Sequence, residues 1–339
     1  MGVIYLKKNK NILVTGGAGY IGSQMSKMLS EKGYKVIILD NLSTGHKEAA
    51  RFGELIIGDI ADSALLDNIF SEYKIESVMH FAASSIVGES VLNPLKYYHN
   101  NVVKTLAMLD SMVRNNVNNI IFSSTAAIFG EPKYIPIDEN HPKKPINPYG
   151  SSKLIIEKIL EDFYISYKLN SISLRYFNAC GADLDLEIGE MHEPETHLIP
   201  LILQVASGKR DVINIFGSDY ETKDGTCIRD YIHIIDICEA HLLSLELLLN
   251  NEIDGANAFN LGNGKGFSVR EVINAAEEIV KEFDKNIKEN IAVRRQGDPA
   301  ILIADGKKAA DILGWDPQYK DIKDMILHAL KWKLKCFNH

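Results

Sequence analysis

The sequence predicts a doubly wound α/β fold, a parallel sheet covered on both faces, joined to a smaller mixed α/β domain. Three observations predict it. Short runs rich in Val and Ile alternate with helical patterns through the first half of the chain. A glycine-rich turn lies between the first run and the first helical pattern. The alternation fades near residue 178, where a polar, acidic stretch begins. Strands alternating with helices imply parallel pairing, and continuous apolar strands imply burial on both faces.

The strand candidates are residues 11–15, 35–40 (KVIILD), 54–59, 77–83, 119–124 and 172–177. A helix from residue 93 opens with Asn-Pro, an N-cap followed by proline at the first helical position. Its apolar residues Leu95, Tyr98, Val102, Leu106, Leu109 and Val113 recur at spacings of three and four. The segment 150–168 is similarly periodic. Both carry apolar residues on more than one side, which suits a homodimer contact through helices around 93–115 and 150–168 as well as packing on the sheet. Residues 181–195 are polar and acidic, 271–285 form an amphipathic helical pattern, and 228–235 (IRDYIHII) read again as a buried strand. The expected division is residues 1–177, rejoined by about 228–250, and residues 178–339.

At about 150 residues per domain, 339 residues suit two domains. Lys plus Arg number 37 against 45 Asp plus Glu, and the net charge of −8 argues against a nucleic-acid binder. It leaves room for a small anion held by a few placed arginines. Cys180, Cys227, Cys238 and Cys336 are far apart with no Cys-x-x-Cys pair, which speaks against a zinc ribbon or a disulfide framework and suits a reducing cytoplasm. The N-terminal residues lack a secretory h-region, and no apolar run approaches the ~20 residues that span a bilayer. Neither a membrane nor a nucleic acid is expected as a partner.

The strongest motif is Thr15-Gly16-Gly17-Ala18-Gly19-Tyr20-Ile21-Gly22, with Gly17-x-Gly19-x-x-Gly22 between a strand and a helix. Its glycines serve a tight turn, close approach of backbone to a pyrophosphate, and close helix–strand packing. The helix N-terminus adds unpaired N–H groups and partial positive charge. Asp40 closes the second strand 18 residues after Gly22, where a carboxylate accepts from ribose hydroxyls and repels a 2′-phosphate. The motif therefore indicates a Rossmann-like sheet and favours NAD over NADP, with FAD as the competitor. Asp59, and Phe81, Ala82 and Ala83, fall at strand ends facing the crevice. Asp59 suits the adenine amino group or, equally, a helix cap.

Tyr149 and Lys153 stand at i and i+4, one turn apart on one helix face. A phenol with a pKa of ~10 is a poor base near neutrality, and a neighbouring ammonium would lower it. Thr125 closes the fifth strand 24 residues before Tyr149. A Rossmann turn, a strand-end hydroxyl and a Tyr/Lys pair in this order resemble the extended short-chain dehydrogenase/reductase family. The likeness extends to its nucleotide-sugar C4-epimerase branch. It rests on TGGAGYIGS (15–23), VIILDNLSTGH (36–46), HFAA (80–83), FSSTAAIFGEP (122–132), NPYGSSK (147–153), LRYFNACGA (174–182), ETHLIP (195–200), FGSDYETKDGTCIRDYIHIID (216–236), NLGNGKGFSV (260–269) and RRQGDPA (294–300).

The resemblance implies inversion at C4 between UDP-galactose and UDP-glucose through a transient 4-keto sugar, with tightly bound NAD and no net redox change. It casts Tyr149 as the base on the sugar 4-hydroxyl, Thr125 as the partner of the 4-oxygen, and Lys153 as the group that binds the nicotinamide ribose and depresses the phenol pKa. It puts Tyr20, Ile21, Asn41, Ser43, Ile60, Asn100, Ser123 and Tyr176 beside the cofactor. It puts Asn178, Arg229, Arg295 and Asp298 on the UDP portion, with Leu198 and Phe216 along the uracil.

Three positions depart from the commonest pattern: Ser85 where some members have Lys, Phe129 where Tyr is frequent, and Leu302 where some carry a bulky aromatic. The smaller Leu302 leaves room beside the sugar C2, so some activity on UDP-N-acetylhexosamines is expected. Alternatives are another NAD-dependent nucleotide-sugar oxidoreductase, decarboxylase or dehydratase, and a catalytically silent NAD-binding protein. A dehydratase would place an Asp-Glu pair where this chain has Ala126-Ala127. Glu190, His192, Glu193, Glu195 and His197 fit no defined ligand spacing, so no metal is expected, and His80 and His233 read as structural.

Overall fold

The computed structural model describes residues 10–281, 287–295 and 298–337. Residues 1–9, the end of the 271–285 helix, and Gln296 and Gly297 of the RRQGDPA stretch lie outside the described residues. The first half runs β1 (Asn11–Thr15), α1 (Tyr20–Glu31), β2 (Lys35–Asp40), β3 (Glu54–Ile57), α2 (Ser63–Tyr73), β4 (Ser77–His80), α3 (Val87–Leu92), α4 (Pro94–Tyr98), α5 (Lys104–Arg114), β5 (Asn119–Thr125), α6 (Pro148–Tyr167) and β6 (Asn170–Tyr176). The second half runs β7 (Asn178–Cys180), α7 (Leu198–Ala206), β8 (Ile213–Phe216), β9 (Ile228–His233), α8 (Ile234–Leu249), β10 (Ala256–Leu261), β11 (Gly266–Ser268), α9 (Val269–Lys281), β12 (Glu289–Ala292), β13 (Ile301–Leu302), α10 (Lys307–Leu313) and α11 (Ile322–Phe337).

Seven strands form one sheet in the order β10-β6-β5-β4-β1-β2-β3. Every pair in it is parallel. The order reverses between β1 and β4, and there the carboxyl ends of the strands open a crevice. The strands are apolar throughout because both faces are covered. Met25 and Leu29 of α1, Ile237 and Leu245 of α8, and Leu313 of α10 pack on one face. Phe70 of α2, Met108 and Met112 of α5, and Ile156 and Leu160 of α6 pack on the other.

A smaller core joins α7, α9 and α11 through residues such as Ile202, Val272 and Met325. Beside it, β9 pairs with β7, β11 and β13, while β8 pairs with β12. Here the structure corrects one expectation. The apolar run at 228–233 does not rejoin the first domain as a strand, but holds the second sheet together as β9. Its neighbours return instead: α8 packs on the main sheet and β10 extends that sheet beside β6. A buried strand of either sheet reads alike, because apolar content does not specify a pairing partner.

The acidic stretch after β7 is strapped down. Tyr20 Oη donates to the Gly181 carbonyl at 2.7 Å, and the Lys27 ammonium meets Asp183 and Asp185, each at 2.8 Å. Burial opposes the Lys27 charge, but hydrogen bonds to Asp183, Asp185 and Glu187 outweigh it and raise its pKa. Lys333 of α11 donates to the Glu190 carbonyl at 2.8 Å. This loop therefore ties α1 to α11.

His80, at the end of β4, is buried between the hydroxyls of Thr15 (2.7 Å) and Thr105 (2.9 Å). Burial, with Lys153 adding to it, pushes its pKa down to about 3. Burial likewise lowers His233 to about 3 and His241 to about 4. These imidazoles are neutral in the fold and take up protons only on unfolding. Their contribution is complete above the unfolded value of ~6.5 and is lost as pH falls from there toward 3–4, at up to about 1.4 kcal/mol per pH unit for each. Urea unfolding between about pH 7 and about pH 5 should show this fall, with a shallower slope in His80→Gln.

Candidate active site

The glycine-rich turn fits a dinucleotide. Gly16 has φ +73°, and a Cβ there would lie 2.5 Å from the Ala82 amide nitrogen. The tight turn therefore falls to Gly16. A Cβ on Gly22 would strike the Gly16 carbonyl, so α1 can start this close to β1 only with glycine there. Gly19 is the N-cap of α1; no side chain caps the helix and its first turn holds no acidic residue. The amides at Tyr20, Ile21 and Gly22 thus face the crevice side of the turn as anion donors.

Asp40 is buried, accepting from Ala18 N at 2.9 Å and Leu42 N at 2.8 Å. Each oxygen keeps a lone pair for a ribose hydroxyl. Asn41 bonds Ser43 N at 3.0 Å and reaches the Asp59 carboxylate at 3.2 Å. Burial works against the Asp59 charge, yet Lys104, Ala61 N and Asn41 hold its pKa below the ordinary value. The cap of α2 is Asp62, which accepts from Leu65 N at 3.0 Å, so Asp59 is not consumed as a helix cap. Ile60 is buried beside it. Phe81 N bonds the Thr15 carbonyl, which fixes Phe81, Ala82 and Ala83 over the turn.

The chemical centre forms where β5 ends against the start of α6. Asn147 caps α6 through Gly150 N at 2.8 Å, with Pro148 in the first turn. Gly150 packs on the Ala127 carbonyl so closely that a Cβ would collide with it. Tyr149 is thereby held against the strand end that carries Thr125, whose hydroxyl acts to lower the phenol pKa. One turn on, Lys153 is buried; its Nζ donates to the Ser123 carbonyl at 2.7 Å and lies 4.8 Å from the Phe122 ring centroid. Burial lowers the Lys153 pKa to about 7, against a raising effect of Glu157. Ser123 Oγ and Tyr176 Oη bond each other at the same strand ends.

The sequence argument expects a lowered Tyr149 pKa, and the chain alone does not produce it. Burial raises the phenol, and only the Thr125 bond opposes that. A desolvated Tyr and a desolvated Lys both favour their neutral forms; positive charge beside the phenol favours the phenolate, and the phenolate in turn favours the Lys153 ammonium.

Two groups that hold this geometry escaped the sequence argument. Glu157, one turn beyond Lys153, takes a buried fork from Arg175 of β6 at 2.9 and 2.7 Å and a third bond from Ser124 Oγ at 2.6 Å. Tyr149, Lys153 and Glu157 fall at i, i+4 and i+8, a visible signal on one helix face. Asn101 sits in the π-turn His99–Val103 between α4 and α5. Its side chain bonds Ser84 N (2.8 Å), Ser84 O (2.9 Å) and Ser152 Oγ (3.1 Å), and Ser152 in turn bonds the Tyr149 carbonyl. Asn100, its neighbour, reaches Ser84 Oγ at 3.3 Å.

The residues expected at UDP form two groups. Arg229 of β9 pairs with Asp298 and sits in register with Leu302 of β13. Leu302 packs against the cluster of Ala126, Ile128 and Phe129 just beyond Thr125, which joins this group to the chemical centre. The Arg295 guanidinium lies 4.0 Å from the Phe216 ring centroid at the end of β8. Asn178 opens β7 opposite Tyr231, and Leu198 opens α7. Glu190, His192, Glu195 and His197 also converge, each offering a ligand atom within 4.8 Å of the others.

With this geometry in hand, similarity to known proteins decides the family. A family model described as GDP-mannose 4,6 dehydratase matches residues 13–327. A UDP-glucose 4-epimerase of Halalkalibacterium halodurans is 52% identical over 321 residues, 95% of each chain. The chain belongs to the UDP-glucose 4-epimerase family, within the extended short-chain dehydrogenases/reductases. A crystal structure of a Brucella ovis UDP-glucose 4-epimerase in complex with NAD superposes with TM-score 0.91 at 46% identity, covering 95% of this chain and 98% of that one. A UDP-Glc/GlcNAc 4-epimerase from Campylobacter jejuni matches with TM-score 0.83 at 41% identity, covering 97% and 100%. The epimerase family is NAD-dependent, and the Gly16 cradle, the uncapped α1 N-terminus and the Asp40 carboxylate fit that cofactor.

Proposed function

We infer that the protein interconverts UDP-galactose and UDP-glucose by inverting C4 through a transient 4-keto sugar. The observation that carries this is the start of α6 packed on the end of β5, which sets Tyr149 against the strand end bearing Thr125, one helix turn from buried Lys153, at the crevice of an NAD-binding sheet. When bound, NAD supplies a hydride acceptor that returns what it takes, and its cationic ring adds positive charge beside the phenol. Tyr149 takes the proton of the sugar 4-hydroxyl, and Thr125 hydrogen-bonds the 4-oxygen. Lys153, held near pKa 7 by burial, takes a proton from solvent water while Tyr149 is ionised, and its ammonium stabilises the phenolate that then accepts the 4-hydroxyl proton.

The keto sugar must turn over in place, so the firm hold belongs on UDP, away from the reacting carbon. Arg229 and Arg295 suit the diphosphate, Asp298 and Asn178 the uridine side, and Leu198 and Phe216 the uracil face. The dehydratase description of the family model does not carry over as an activity, because Ala126 and Ala127 follow Thr125 and offer no acid. Leu302, which packs beside Ala126, is smaller than the aromatic some relatives carry, and we propose that UDP-N-acetylhexosamines also turn over.

Incubation with UDP-galactose and no added NAD should yield UDP-glucose without accumulating NADH; a 4-keto-6-deoxy sugar or net NADH contradicts the reading. Tyr149→Phe should keep its NAD and lose about 10²–10⁴-fold in kcat. UDP-N-acetylglucosamine should give its galacto epimer, and Leu302→Tyr should lower that rate far more than the rate on UDP-galactose.

We also propose a homodimer. Leu92 (87% exposed), Leu95 (77%) and Ile165 (70%), on α3, α4 and α6, are uncovered apolar residues, as are Val91 and Val103. A second copy of this chain would cover them, and sedimentation equilibrium should return twice the 37.9 kDa chain mass. Among the described residues no helix is long and apolar enough to cross a membrane. Free, buried Cys180, Cys227 and Cys238 support a cytoplasmic setting.

A further inference from the structure

The loop before α7 brings two imidazoles and two carboxylates to one point. His192 Nδ1 lies 2.9 Å from Glu190 Oε1, and His197 Nδ1 lies 2.7 Å from the same oxygen and 3.0 Å from Glu195 Oε1. One ligand atom from each of the four residues lies within 4.8 Å of the other three. The carboxylates are deeply buried, with side-chain exposures of 6% for Glu190 and 2% for Glu195.

Ion pairing with the histidines accounts for one oxygen of each carboxylate. It does not account for Glu195 Oε2, which is buried with no hydrogen-bond partner. A buried carboxylate oxygen without a donor is costly and asks for a positive centre.

We propose that Glu190, His192, Glu195 and His197 bind one divalent transition-metal ion, with Zn²⁺ the best match. Two nitrogens and two oxygens suit a tetrahedral site, and bonds of about 2.0–2.1 Å would space the ligands roughly 3.3 Å apart, inside the 4.8 Å span that the four atoms already occupy. Two glutamates balance the 2+ charge when both imidazoles are neutral, and a proton leaves the histidine pair as the metal enters. With four protein ligands no position stays open for substrate, so the ion is structural.

Its place explains what it would hold. His192 lies edge-on to Tyr20 of the cofactor turn, with ring centroids 6.3 Å apart. Leu198, the first residue of α7, directly follows His197. The metal would pin this loop between the cofactor helix and the start of α7. The Lys27 cluster of Asp183, Asp185 and Glu187 is a different case, since the ammonium already occupies its centre.

The test uses untagged, full-length protein with its NAD, stripped by chelator and titrated with Co²⁺ and then Zn²⁺. The site predicts about one Co²⁺ per chain with the intense visible absorption of a tetrahedral N/O site, displaced by Zn²⁺. Zn²⁺ should raise the thermal midpoint of the wild type. His192→Ala and Glu195→Gln, each confirmed as folded by circular dichroism, should weaken Co²⁺ binding about tenfold or more and abolish the Zn²⁺-dependent rise. A stripped wild type that takes up no Co²⁺, that gives only the weak octahedral spectrum, or that binds no better than the variants overturns the proposal. The wild-type titration alone decides the matter if the variants do not fold.

Discussion

Glu157 and Arg175 share a carboxylate–guanidinium fork beneath the end of the main sheet, and Ser124 adds a third bond to the same carboxylate. The three groups come from α6, β6 and β5. Ser124 and Arg175 are directly opposed in the β5–β6 register, so one helix is locked to two strands at a single point. Tyr149 and Lys153 precede Glu157 on that helix, and Thr125 follows Ser124 on that strand. The relative position of the reacting groups therefore depends on an ion pair that touches none of them. Such a pair is costly to bury and far costlier to half-remove.

Electrostatics around the centre then follow from burial. Lys153 is desolvated over Phe122 and Tyr149 is desolvated beside Thr125, so neither ionises readily in the chain alone. In the proposed reaction, positive charge beside the phenol favours its ionised form, so base strength would follow cofactor occupancy. The net charge of −8 is compatible with anionic nucleotides, because an uncapped helix N-terminus and two arginines at the second sheet offer local donors. Global charge governs encounter, and local donors govern binding.

Much of this was legible in the residues. The six apolar runs became the first six strands of the main sheet, since burial on both faces writes itself as unbroken hydrophobicity. The Asn93–Pro94 and Asn147–Pro148 helix starts read directly from capping chemistry. What could not be read was partnership across the chain. The run at 228–233 looked like any buried strand, and nothing local assigns it to the second sheet. Asn101 looked like one of two adjacent asparagines, and only the π-turn shows which of them faces Ser84 and Ser152. Glu157 shares a face with Lys153, but its value depends on Arg175, 18 residues away on another element. The polar, acidic stretch at 181–195 showed no local sign of its partners Lys27, His46 and Lys333, which are far off in sequence.

The Glu157–Arg175 pair sets the position of Tyr149, Lys153 and Thr125, and equilibrium urea unfolding with kcat of Glu157→Leu, set beside Glu157→Leu/Arg175→Met, checks this. The single variant should lose about 3–5 kcal/mol and most of its turnover, because Arg175 is left buried without its counter-charge. The double variant should recover most of the stability while turnover stays low. A single variant as stable and as active as the wild type would contradict the claim.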